Sequence, residues 1–168
     1  MTKKLFWTKL QEEAWNLHLV ATEEGLCYVG SPDVPFDEAE TWCKKHFPAY
    51  ELERDDERMA AYGKQLIDYL GGKLTGFELP LSMKGTEFQQ SVWEALKAIP
   101  HGQTCSYSDI ARQIGRPSAV RAVGTAIGAN PVLIVVPCHR VVGKDGSLTG
   151  FRGGMKAKEQ LLKLEGVL

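Results

Sequence analysis

The chain has 168 residues, enough for one domain of ordinary size or two small ones. Its 43% apolar and 24% charged residues match a globular protein and exclude a disordered or collagen-like chain. The net charge of −1 hides an asymmetry: residues 1–84 carry 10 Lys/Arg against 15 Asp/Glu, a balance of −5, whereas residues 85–168 carry 10 against 6, a balance of +4. A basic half can meet phosphate, although solvated faces can also differ in charge by chance.

In chain order, residues 5–10, 14–21 and 26–29 read as strands, with Gln11-Glu12-Glu13 and Glu24-Gly25 at the turns. A loop rich in Pro and Asp, residues 31–35, precedes a helix around 38–46. A second helix is expected over 56–70, stopped by Gly71-Gly72. Residues 73–85 read as a linker. Beyond it, Thr86-Glu87-Phe88-Gln89 is a capping box, and Phe88, Val92, Trp93, Leu96 and Ile99 form one apolar helical face ending at Pro100. A short helix follows over 106–114, and Pro117 can open another at its first position, running towards Gly128. Residues 134–136 look like a strand and about 156–164 like a last helix. The fold class is therefore α+β: a small N-terminal α/β domain with its linker over residues 1–84, and a mostly helical C-terminal domain over 85–168.

The longest apolar run, residues 132–136, falls far short of the roughly 20 needed to cross a membrane. Leu5-Phe6-Trp7 is followed by polar Thr8-Lys9, so no signal-peptide core is read there. These features point to a soluble, cytoplasmic protein without a membrane partner, and a monomer is expected. Cys27, Cys43, Cys105 and Cys138 are then expected as reduced thiols. Cys43 and His46 share a helical spacing but find no second pair, so no metal site is expected.

Three constellations carry possible chemistry. Two short helices joined by Gly115-Arg116-Pro117 have helix-turn-helix dimensions, though an ordinary helical hairpin has them too. Ser118, Ala119, Ala122, Val123, Gly124, Thr125 and Ala126 are nearly all small, and Arg121 is the single long cation among them. Such a helix lacks the Asn, Gln and Arg that read base edges, so it would bind DNA through shape and phosphate. Second, Pro137-Cys138-His139-Arg140 follows the strand-like run and Asn130-Pro131. His139 and Arg140 make an electropositive setting that favours thiolate, while adjacent residues of an extended chain point apart, so a relay through water suits them better than direct contact. Third, Gly150-Phe151-Arg152-Gly153-Gly154 is a glycine-bracketed loop.

Asn130-Pro131, Pro137-Cys138-His139-Arg140-Val141-Val142, Gly150-Phe151-Arg152-Gly153-Gly154 and residues 158–166 together resemble the O6-alkylguanine-DNA alkyltransferase family. The resemblance is close over residues 86–168; residues 1–84 match in size and in an expected ribonuclease-H-like shape. It implies a suicide methyltransferase that repairs DNA by direct reversal and needs no cofactor. Its partner would be double-stranded DNA bearing O6-alkylguanine, with O4-alkylthymine as a possible second substrate.

The resemblance further implies that Ser118, Ala119, Arg121, Ala122 and Thr125 bind DNA in the minor groove, with Arg121 filling the space of a nucleotide flipped from the stack. A pocket of Ile127, Val141, Phe151, Arg152, Gly153 and Lys158 would receive the base, and Tyr107 would hydrogen-bond it. Cys138 would attack the alkyl carbon, His139 held by Glu165 would take the thiol proton through water, and Asn130 would order the turn. Phe151 stands where the family frequently has tyrosine, and Arg152 where several members have a small residue. A lesion-binding protein of alkyltransferase-like type is the alternative, but such proteins replace the nucleophile and Cys138 is present.

Overall fold

The structure, a computed structural model, describes residues 3–168 and divides into two units, Met1–Lys84 and Gly85–Leu168. In the first, β1 (Lys4–Glu12), β2 (Trp15–Ala21), β3 (Leu26–Val29) and β4 (Glu51–Arg54) form one sheet in the order β3-β2-β1-β4. β1 and β2 make an antiparallel hairpin, β3 is antiparallel to β2, and β4 is parallel to β1. The adjacent residues Leu5 and Phe6 are both buried, which in a strand requires cover on both faces. Leu5 packs with Ala39, Cys43 and Phe47, and these residues come from α1 (Asp37–His46) and its C-terminal end. Arg58, just ahead of α2 (Ala60–Leu70), lies 4.0 Å over the Phe6 ring.

In this unit two sequence boundaries shift and one strand was missed. The hairpin turns at Glu13-Ala14, with Glu13 at φ 43°, so β1 runs to Glu12. α2 starts at Ala60 instead of 56, because Asp55 gathers the chain into a turn by accepting the Arg58 amide at its carboxylate and the Met59 amide at its carbonyl. β4 was not anticipated: three of its four residues are charged, as suits a short exposed edge strand.

The second unit begins with α3 (Glu87–Lys97). Thr86 and Gln89 close the expected capping box, and Val92, Trp93, Ala95 and Leu96 are buried. α4 (Tyr107–Gln113) has a capping box of its own from Ser106 and Asp109. α5 (Val120–Gly128) begins three residues later than Pro117. The Ala119 amide donates to the Arg116 carbonyl at 2.9 Å, so Pro117 is the second residue of a tight turn, a place its fixed φ suits equally well. Ser118 and Ala119 therefore precede the helix. Trp93 Nε1 donates to the Ala126 carbonyl at 2.9 Å and ties α3 to α5. β5 (Cys105–Ser106) pairs in parallel with β6 (Val141–Val142), and α6 (Met155–Leu164) ends the chain's regular structure. Residues 134–136 are not a strand; they belong to a curled segment that leads into a 3₁₀ turn, Cys138–Arg140. Among the described residues, no helix is long and apolar enough to cross a membrane.

Candidate active site

Two very tight backbone turns deliver Cys138. The Val135 amide donates to the Leu133 carbonyl around Ile134, and the Cys138 amide donates to the Val136 carbonyl around Pro137, both at 2.8 Å. These are three-residue γ-turns, and the first puts Ile134 at φ 73°, a region a β-branched side chain occupies only under constraint. Asn130 supplies the constraint. Buried at 1% exposure, it donates from Nδ2 to the Val136 carbonyl at 2.9 Å and accepts the Val132 amide at Oδ1 at 3.0 Å. Arg152 adds a clasp by donating to the Asn130 and Pro131 carbonyls at 3.3 and 3.2 Å.

Cys138 is 5% exposed, and burial pushes its thiol up; Asn130 and the charges of Arg152 and Lys158 pull the other way. At neutral pH the resting group is the thiol. The electropositive setting read from His139 and Arg140 is therefore corrected. Arg140 is turned away, donating from Nε and an Nη to Glu165 at 2.8 and 2.9 Å and from its other Nη to the Ile99 carbonyl at 2.6 Å. The local conformation is also 3₁₀ rather than extended, which replaces the opposite-faces argument for Cys138 and His139.

His139 is fully buried, with Nε2 2.8 Å from Glu165 Oε2. An ionised carboxylate only accepts, so Nε2 carries the proton and Nδ1 carries the lone pair. Nδ1 is buried and has no hydrogen-bond partner among the described residues. Burial pulls the imidazole down to about 3, with the charges of Arg140 and Lys158 acting the same way. Burial pushes the Glu165 carboxyl up to about 7, opposed by the Gly102 amide, and pulls Arg140 down to about 10. The two-pronged contact with Arg140 favours the ionised form of the carboxyl.

A cleft of about 80 Å³ opens onto Cys138, walled by Tyr107, Ile127, Leu133, Gly150, Phe151 and Arg152 together with Gly124 and Gly128. Three expected wall residues do not line it. Val141 is fully buried in β6; Lys158 is fully buried and donates to the Val141 and Thr149 carbonyls at 2.6 and 3.2 Å. Gly153 sits behind Phe151, where an added Cβ would come within 2.5 Å of the ring. Leu133 and the glycines of α5 were missed, since no motif marks an apolar or glycine residue as a wall. Arg140 was missed as a site residue because its role depends on Glu165, 25 residues away.

A larger cleft of about 620 Å³ brings Ser118, Ala119, Arg121, Ala122 and Thr125 together. Its other wall, Thr86, Phe88 and Gln89 at the start of α3, was not foreseen as part of a surface.

The chain matches the 6-O-methylguanine DNA methyltransferase DNA-binding domain over residues 87–167 and that family's ribonuclease-like domain over residues 5–83. It is 52% identical over 161 residues to an inducible methylated-DNA–protein-cysteine methyltransferase of Bacillus subtilis, covering 96% of this chain and 90% of the relative. A protein of the same description from Methanosarcina acetivorans is 44% identical over 150 residues, covering 88% and 90%. Among solved structures, the O6-methylguanine methyltransferase of Mycobacterium tuberculosis superposes with a TM-score of 0.82 at 38% identity, covering 96% of this chain and 92% of that one. The M. tuberculosis OGT in complex with DNA gives a TM-score of 0.82 at 39% identity, covering 95% and 92%.

A protonated thiol beside a neutral imidazole has a definite pH signature. Alkylation of Cys138 by iodoacetamide is expected to keep rising with pH past the ordinary thiol value of about 8.5. A rate already flat from about pH 6 upward would show a preformed thiolate–imidazolium pair instead.

Proposed function

The chain belongs to the 6-O-methylguanine DNA methyltransferase family, and on that premise we propose that Cys138 is the alkyl acceptor and that the small cleft receives the alkylated base. The protein binds DNA and repairs it by moving a methyl or other alkyl group onto a cysteine. One observation carries the assignment: of the four cysteines, Cys138 lines the cleft and lies next to an imidazole whose Nδ1 is free to accept a proton. Cys27 and Cys43 are packed in the core of the first unit, where burial pushes their thiols up, to about 12 for Cys43. Cys105 lies in β5, with its thiol pushed up to about 11.

The chemistry is a single displacement. The thiol proton leaves through a water molecule to His139 Nδ1, and the sulfur forms its bond to the alkyl carbon as the carbon–O6 bond breaks. The bonding pair stays with the base, which regains a proton and departs as unmodified guanine. Glu165 steadies the imidazolium that forms meanwhile, and Tyr107 hydrogen-bonds the base as negative charge grows on it. The product is a thioether with no leaving group that water can displace, so each molecule acts once.

The large cleft suits a duplex. The side chains of Ser118, Ala119 and Ala122 are short enough to let the backbone of a nucleic acid approach closely, and Arg121 is an exposed cation among them. We assign Arg121 the space vacated by the flipped nucleotide. Phe151 stacks on the base; its ring already stands edge-on to His139, with 6.5 Å between centroids. Base–aromatic stacking of this kind contributes about 1–3 kcal/mol.

Incubation with duplex DNA containing O6-methylguanine should add one methylene, about 14 Da, to Cys138 and stop at one group per protein, with Cys138→Ala inert yet still binding DNA. Modification of another cysteine, or continued turnover, would overturn the assignment. Arg121→Ala should slow repair of duplex DNA by about tenfold or more while reaction with the free base stays nearly unchanged. Equal losses on both substrates would remove Arg121 from base flipping.

A further inference from the structure

Tyr107 Oη lies 2.6 Å from Thr149 Oγ1, a contact between the first residue of α4 and the loop ahead of Phe151. Both partners are held in place. Tyr107 lines the cleft with Cys138, and its ring lies against Gly124 of α5, where an added Cβ would touch it at 3.7 Å. Thr149 is anchored through its carbonyl by the buried ammonium of Lys158 at 3.2 Å, and the same ammonium reaches the Val141 carbonyl at 2.6 Å. Lys158 is fully buried, so its donors have protein partners rather than solvent. A threonine on a surface loop is thereby fixed at its backbone by one buried group and directed at the phenol by its side chain.

We infer that Thr149 is a positioning residue for the alkyl-transfer step: its hydroxyl donates to Tyr107 Oη and so turns the phenol proton into the cleft, towards the base. The inference rests on the reading of the cleft as the base site. Its physical basis is a count of protons. A phenol has one, and if Tyr107 gave it to Thr149 none would remain for a base on which negative charge is building. The threonine hydroxyl rotates, so it can take the donor role and leave the phenol oxygen as acceptor. A hydroxyl that accepts a hydrogen bond is also polarised into a better donor, so the contact strengthens the bond to the base as well as aiming it. No motif marks Thr149, because its function depends on a residue 42 positions away.

Single-turnover rates on duplex DNA containing O6-methylguanine, at saturating DNA, test the inference. Thr149→Val, which keeps the shape and loses the hydroxyl, should slow transfer by about three- to tenfold with DNA affinity unchanged, the scale of one neutral hydrogen bond. Thr149→Ala should repeat that loss should valine perturb the loop, and Thr149→Ser should recover most of the rate. Tyr107→Phe should be slow by itself, and adding Thr149→Val to it should cost nothing further. A valine variant as fast as the parent, a serine variant as slow as valine, or losses that multiply in the double variant would each overturn the inference. Absence of transfer by the unaltered protein would instead overturn the reading of the cleft.

Discussion

The Glu165 side chain, from the residue that ends α6, is fully buried. Burial pushes towards the neutral acid. Against it stand the fork of Arg140 at 2.8 and 2.9 Å, the Nε2–H of His139 at 2.8 Å and the Gly102 amide. Removing one member of such a buried cluster typically costs about 3–5 kcal/mol, because the survivor is left charged without a partner. The arrangement also dictates chemistry. With Nε2 committed to the carboxylate, the imidazole can accept a proton at Nδ1 alone, and burial keeps it neutral until one arrives.

On the proposed assignment of Cys138 as the alkyl acceptor, this arrangement lets a buried thiol serve as the nucleophile. Cys138 starts protonated, so the reaction needs a base at the moment of attack rather than a standing thiolate. A standing thiolate would be open to oxidation and to stray electrophiles, which would be costly under the proposed single-use mechanism. Geometry enforces the same discipline. The left-handed Ile134 and the paired γ-turns hold Cys138 in the cleft lining, and Asn130 closes both ends of the segment with the donor and the acceptor of its one side-chain amide. The strain at Ile134 persists because the surrounding hydrogen bonds over-determine it.

What the sequence disclosed follows from how local each signal is. The capping box at Thr86 and the glycine stop at Gly71 were readable because they act over a few residues. The Pro137-Cys138-His139-Arg140 run was readable as a motif, but its electrostatics were not. Arg140 serves Glu165 rather than Cys138, a pairing that only the return of α6 creates. Residues 134–136 misled because a short buried apolar run looks the same whether it is a strand or a curled turn. Pro117 misled because its φ fits both a helix start and the second position of a turn. The wall of the small cleft came through in part: Tyr107, Ile127, Phe151 and Arg152 line it, whereas Val141, Gly153 and Lys158 stand behind it as supports.

The central claim is that His139 waits as a neutral base with its proton on Nε2 and its lone pair on Nδ1. Nitrogen-15 NMR of the imidazole in the unalkylated protein reads both facts directly. The account expects one neutral tautomer, protonated at Nε2, at about pH 8, where Glu165 is ionised and accepts from it while burial keeps the imidazole neutral. An imidazolium at neutral pH, or a proton on Nδ1, would contradict it.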